Sequence, residues 1–150
     1  MQPNPIILYD GACGLCNRFV QFVLKRDHQD RFRFAALQSN FAREILERHN
    51  LNPDTLETVY LALDYGGPAE RLLSRDDAAS SVLQQLGGFS RLWASVLKVL
   101  PCRLRGWSYN FVARNRYRFF GRHEACPLPD PKDRHKFLDL APADNPASAQ

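Results

Sequence analysis

The chain opens its ordered pattern with an apolar run, Ile6-Ile7-Leu8-Tyr9, whose length and lack of polar residues predict a buried strand. Asp10-Gly11 turns the chain, and apolar residues then return at helical spacing. Leu15, Phe19, Phe22 and Val23, with a second row at Cys16, Val20 and Leu24, oppose Arg18, Gln21, Lys25 and His28. Arg31-Phe32-Arg33-Phe34-Ala35 alternates with period two and predicts a half-buried strand. A second helix is expected from about Asn40 to His49, with Phe41, Ile45 and Leu46 inward and Asn50 as a left-handed stop.

Beyond Asn52-Pro53-Asp54 the alternation of Thr58-Val59-Tyr60-Leu61-Ala62-Leu63 predicts a third strand. Asp64-Tyr65-Gly66-Gly67-Pro68 reads as a hairpin turn returning through Ala69 to Leu73 as a fourth strand, antiparallel to the third. Ser74-Arg75-Asp76-Asp77 is close to a capping box and introduces a helix lined by Ala79, Val82, Leu83 and Leu86 and ended by Gly87-Gly88. The order β-α-β-α-β-β-α is that of an α/β, thioredoxin-like core: a right-handed βαβ unit joined by a helix to a hairpin and a last helix. Two further helices are appended. Ser90 to Leu100 is expected to turn Leu92, Trp93, Val96, Leu97 and Leu100 inward, and a longer helix runs roughly from Arg103 to Phe120, closed by Gly121. A short helical piece is expected around Asp133 to Leu138. The organisation expected is one thioredoxin-like domain over residues 1–140 with a C-terminal helical extension, and a disordered tail over 141–150, rich in Ala, Pro and Ser.

Chemistry enters where the first strand gives way to the first helix, at Cys13-Gly14-Leu15-Cys16. The unpaired N–H groups and positive dipole end of a helix N-terminus favour a thiolate. A second cysteine three residues on lies on the same face and within reach of a disulfide. Cys13, at an exposed helix mouth, is therefore expected to attack and Cys16 to resolve. Asn17 stands where c-type haem attachment requires histidine. Zinc is the rival chemistry, because His123 and Cys126 repeat the spacing of Cys13 and Cys16. Asp10 has two readings. Its carboxylate serves the Asp-Gly turn, or it takes a proton from Cys16; beside Cys13 it would disfavour the thiolate by like-charge repulsion.

A chain of 150 residues is long enough for a core without disulfide staples, and four cysteines are too few for a disulfide scaffold. The N-terminus shows neither a signal nor a transit pattern, which leads to the expectation of a cytoplasmic protein. No apolar run approaches the roughly 20 residues of a membrane span. The formal charge of +4 is mild, but its distribution is not. Arg103, Arg105, Arg114, Arg116, Arg118 and Arg122 are interleaved with Trp107, Tyr109, Phe111, Tyr117, Phe119 and Phe120, with no acidic residue until Glu124. The reading preferred for this stretch is a core helix with aromatics inward and arginines solvated. The alternative is an interaction module for anionic partners, RNA or a membrane surface.

With these residues in hand, the chain resembles the DCC family of thiol-disulfide oxidoreductases. The resemblance rests on Asp10, Gly11, Cys13 and Cys16; Leu37-Gln38-Ser39; Ser74-Arg75-Asp76-Asp77-Ala78; and Ala113 through Gly121 with Cys126, and covers roughly residues 6–138. It implies a thioredoxin-like fold and thiol-disulfide exchange, with Asp10, Cys13 and Cys16 as the functional trio. The exchange is expected to use a protein or low-molecular-weight thiol or disulfide as substrate and no cofactor; no metal is expected because the CxxC lacks a second half-site, and no nucleic-acid partner because the arginine-aromatic helix reads as core with solvated arginines. Leu56-Glu57-Thr58 stands before the third strand, where related enzymes carry a substrate-aligning cis-proline.

Overall fold

The computed structural model describes residues 4–52, 59–121 and 129–140, leaving out the side chains at 89–91, 93, 94, 97, 116 and 120. The expected cis-proline position and the His123/Cys126 pair lie outside the described residues. Four strands form one sheet: β1 (Ile6–Tyr9), β2 (Arg33–Ala36), β3 (Tyr60–Leu63) and β4 (Arg71–Ser74), in the order β2-β1-β3-β4. β1 runs parallel to β2 and antiparallel to β3, and β4 is antiparallel to β3. With helices α1 (Gly14–Arg26), α2 (Asn40–Arg48) and α3 (Arg75–Leu86), this is the thioredoxin-like arrangement in α/β form. α4 (Gly88–Val99) and α5 (Cys102–Phe120) follow it.

Helices cover both faces of the sheet, which is why β1 has no polar alternation. Ile7 and Tyr9 join Val20, Val23, Phe34, Leu61 and Val82 in a core on the α1 and α3 side; Ile6 and Leu8 join Ala35, Ile45, Leu46 and Ala62 on the α2 side. Burying each such side chain contributes about 1.5–3 kcal/mol. Ser39 caps α2 by accepting from Ala42 N–H at 3.2 Å, and Asn50 ends the following turn at φ 56°.

After a 3₁₀ turn at Pro131–Lys136, Phe137 pairs in parallel with Phe34 along the outer edge of the sheet. Its ring stacks on Phe34 at 5.2 Å, and Asp139 accepts from Ala36 N–H at 2.9 Å. An edge strand that would otherwise offer unpaired N–H groups is covered. The buried Lys136 ammonium lies 4.0 Å from the buried carboxylate of Asp27, which accepts from Arg31 and Phe32 N–H. The C-terminal segment is thereby tied to the start of β2.

Two local expectations are corrected. No side-chain hydrogen bond caps α3 at Ser74: Arg75 takes φ 54° and its N–H goes to the Val59 carbonyl at 3.1 Å, while Asp76 pairs with Arg105 of α5. α4 and α5 do not turn all their apolar residues inward. Leu92 and Val96 are exposed, as are Trp107, Phe111 and Phe119. Among the described residues no further layer covers these side chains.

Candidate active site

The turn between β1 and α1 is closed by Cys13 N–H donating to the Asp10 carbonyl at 3.1 Å. Asp10 Oδ1 accepts from Ala12 N–H at 3.0 Å, so the carboxylate does fold back on its own turn. It does more than that. Gln38, just past β2, donates its amide to the same oxygen at 2.8 Å, and the Tyr117 hydroxyl of α5 donates to Oδ2 at 2.7 Å. Gln38 Oε1 accepts from Gly11 N–H at 3.2 Å, and Asn17 Nδ2 reaches back to the Gly11 carbonyl at 2.9 Å. Asp10 is 4% exposed, and its burial is sustained by these donors.

Cys13 occupies the N-cap of α1, where serine or aspartate would ordinarily satisfy the first amides; its side chain makes no capping bond, and the first turn holds no acidic residue. One of those amides is satisfied from far along the chain: Gly14 N–H donates to the Gly121 carbonyl at 3.3 Å, immediately beyond α5. The end of α5 thus sits against the start of α1 through Tyr117 and Gly121. That corrects the expected exposed mouth, for Cys13 is 0% and Cys16 5% exposed. Neither is in a disulfide. Cys16 lines a mostly apolar cleft of about 180 Å³ with Leu15, Phe19, Val59, Tyr109 and Val112, and Arg75 stands at its wall.

The trio expected from sequence is therefore brought to one turn, and two further residues join it. Tyr117 and Gln38 went unassigned because nothing in a single sequence shows what a tyrosine 107 positions from an aspartate will touch. Both nevertheless fall in the stretches that carry the family resemblance. Cys102 opens α5 and is exposed. Among the described residues no group of three or more His, Cys, Asp or Glu side chains is placed to hold a metal.

A family model described as DCC1-like thiol-disulfide oxidoreductase matches residues 7–122, from β1 to just past the Gly121 contact. The chain belongs to this family. Two relatives agree with the assignment. One is YuxK of Bacillus subtilis, an uncharacterized protein 35% identical over 136 residues, which span 91% of this chain and 95% of the relative. Another is the DCC family protein At1g52590, chloroplastic, of Arabidopsis thaliana, 35% identical over 126 residues, or 83% of this chain and 70% of the relative. No solved structure matches the chain. Membership supports a redox role for the thiols, and the matched interval contains every residue of the Asp10 network.

Proposed function

We propose that the protein exchanges thiols for disulfides through Cys13 and Cys16. The observation that carries this reading is the placement of two cysteines outside any disulfide on the first turn of α1, Cys13 at the N-cap, where its side chain makes no capping hydrogen bond. The adjacent amides and the helix dipole stabilise a Cys13 thiolate more than a thiol. That thiolate attacks one sulfur of a substrate disulfide; the other sulfur leaves as a thiolate and takes a proton. Cys16, giving up its own proton, then attacks the Cys13 sulfur and expels the second substrate thiol. Two electrons and two protons pass to the substrate, and a Cys13–Cys16 disulfide remains for an external dithiol to reduce.

Asp10 is the proposed acceptor of the Cys16 proton, with Tyr117 and Gln38 as positioning residues that hold its carboxylate. Access is part of the mechanism. Because Cys13 is buried under the end of α5, attack on a protein substrate requires the Tyr117–Asp10 and Gly14–Gly121 hydrogen bonds to open. The cleft beside Cys16 suits the apolar part of a protein or small disulfide substrate.

Trapping tests the assignment. Cys16→Ser is expected to accumulate mixed disulfides with substrates, since attack proceeds and resolution cannot, whereas Cys13→Ser captures nothing; Asp10→Asn captures but releases slowly. Equal trapping by both cysteine variants would overturn the division of roles. Oxidised protein without a Cys13–Cys16 bond by mass spectrometry would overturn the reading itself.

A further inference from the structure

Apart from Leu140, every exposed large hydrophobic side chain among the described residues lies on α4 or α5. On α4 the stripe is Leu92, Val96 and Val99, spaced by four and three; on α5 it is Leu104, Trp107 and Phe111, spaced by three and four. Val99 is 84% and Trp107 66% exposed, and the Trp107 and Phe111 rings stack on each other at 5.8 Å with no described residue layered above them. A patch of this kind on an otherwise well-packed chain marks a surface that meets something.

Charge decides what it meets. From Ala78 to His123 the sequence holds no aspartate or glutamate. Lys98, Arg103, Arg114 and Arg118 are exposed on these two helices, and Arg114 and Arg118 continue the Leu104-Trp107-Phe111 stripe at the same three-and-four spacing. A second copy seated on this face would set one cluster of cations against another. The chain's own last ten residues offer no large apolar side chain to cover it. RNA would use the aromatics and arginines but has no place for the aliphatic residues of α4, which lack a π-face to stack on. An anionic lipid surface accommodates all of them. Aliphatic and aromatic side chains enter the headgroup–acyl boundary, tryptophan sits at that boundary, and the arginines meet the phosphates.

We infer that the exposed faces of α4 and α5 dock the protein on the surface of an anionic bilayer. The contact is peripheral, since among the described residues no helix is long and apolar enough to cross a membrane. It is also independent of the thiol chemistry, although the same helix carries Tyr117.

Co-sedimentation of the full chain with vesicles tests this directly. The protein should pellet with an equal mixture of phosphatidylcholine and phosphatidylglycerol, stay in solution with phosphatidylcholine alone, and be released by salt. Trp107→Ser with Phe111→Ser, and separately Arg103→Gln with Arg114→Gln and Arg118→Gln, should each weaken binding by about tenfold or more while circular dichroism and thiol reactivity stay unchanged. Failure of the wild-type protein to bind anionic vesicles overturns the proposal. So does salt-insensitive self-association in sedimentation velocity that Trp107→Ser/Phe111→Ser abolishes, which would make the face a contact between copies. Single-stranded RNA binding tighter than vesicle binding overturns it equally.

Discussion

The unit from β1 to α3 and the two helices that follow it, α4 and α5, are built from the same ingredients and use them in opposite senses. In the first, apolar side chains are shut between sheet and helices, and the polar groups that go in with them are paired: Asp10 by Tyr117, Gln38 and Ala12, Asp27 by two backbone amides and Lys136. In the second, apolar side chains and arginines share the outer surface. Helical spacing of apolar residues states that a face must be covered. It does not state whether the chain itself supplies the cover, and on α4 and α5 no described residue supplies it for Leu92, Val96, Trp107 or Phe111.

The comparison breaks most sharply on core truncation. Leu61→Ala, at a residue with no exposure on the central strand β3, should cost about 2–5 kcal/mol in urea denaturation, whereas Phe111→Ser on α5 should change stability by no more than about 0.5 kcal/mol. Equal losses would mean that the outer face of α5 is buried after all. Between the two regions lies the contact of Tyr117 with Asp10. Tyr117→Phe removes one hydrogen bond to a charged group, an expected loss of about 1.5–3 kcal/mol. Because the same contact holds the end of α5 against α1, Cys13 should also be alkylated faster in that variant. A loss of stability with no change in alkylation rate would show that α5 does not control access.

The smallest effect sharpens the contrast at a partly exposed site. Burial alone would raise the Glu70 pKa, but the Gly66 amide, His49 and Arg48 outweigh it and hold the group below its ordinary value of 4.5. The folded state therefore releases this proton more readily than the unfolded state. The contribution is complete above 4.5 and is lost as pH falls through the lower, folded value. At Asp30 burial likewise raises the pKa, but the hydrogen bonds and charges of Lys136 and Arg33 together outweigh it and lower the value, which adds to the same acid limb. The unfolding free energy of Glu70→Gln, from urea denaturation, should fall less on acidification than that of the wild type, by within about 1 kcal/mol. Identical acid limbs would exclude a role for the Glu70 cluster.

Much of the fold was legible because periodicity reports which faces are buried. The runs at Ile6, Phe34 and Leu61 became strands, the two rows from Leu15 to Leu24 became α1, and Asp64 to Pro68 turned the hairpin. The CxxC was legible for the same reason: a strand, a turn and a helix start are local features, and Cys13 stands at the N-cap as spacing predicts. Where expectation failed, a distant residue intervened. The capping box at Ser74 gave way when Asp76 went to Arg105 and Arg75 N–H to Val59. Phe137 covers the sheet edge through a pairing with Phe34 that no local pattern signals.

By itself, then, the sequence determined the order of elements, the two-sided burial of β1 and the arrival of two thiols at a helix start, all consequences of side-chain spacing and backbone preference over a few residues. Only the tertiary structure decided that the thiols are covered, that Asp10 is held by Tyr117 and Gln38, and that the α4–α5 face stays open. Each depends on which surfaces meet across long stretches of chain. Exposure is a property of that meeting: Cys13 is buried in the turn to which Gly121 and Tyr117 return, through Gly14 and Asp10, and Trp107 is exposed where no described residue covers it.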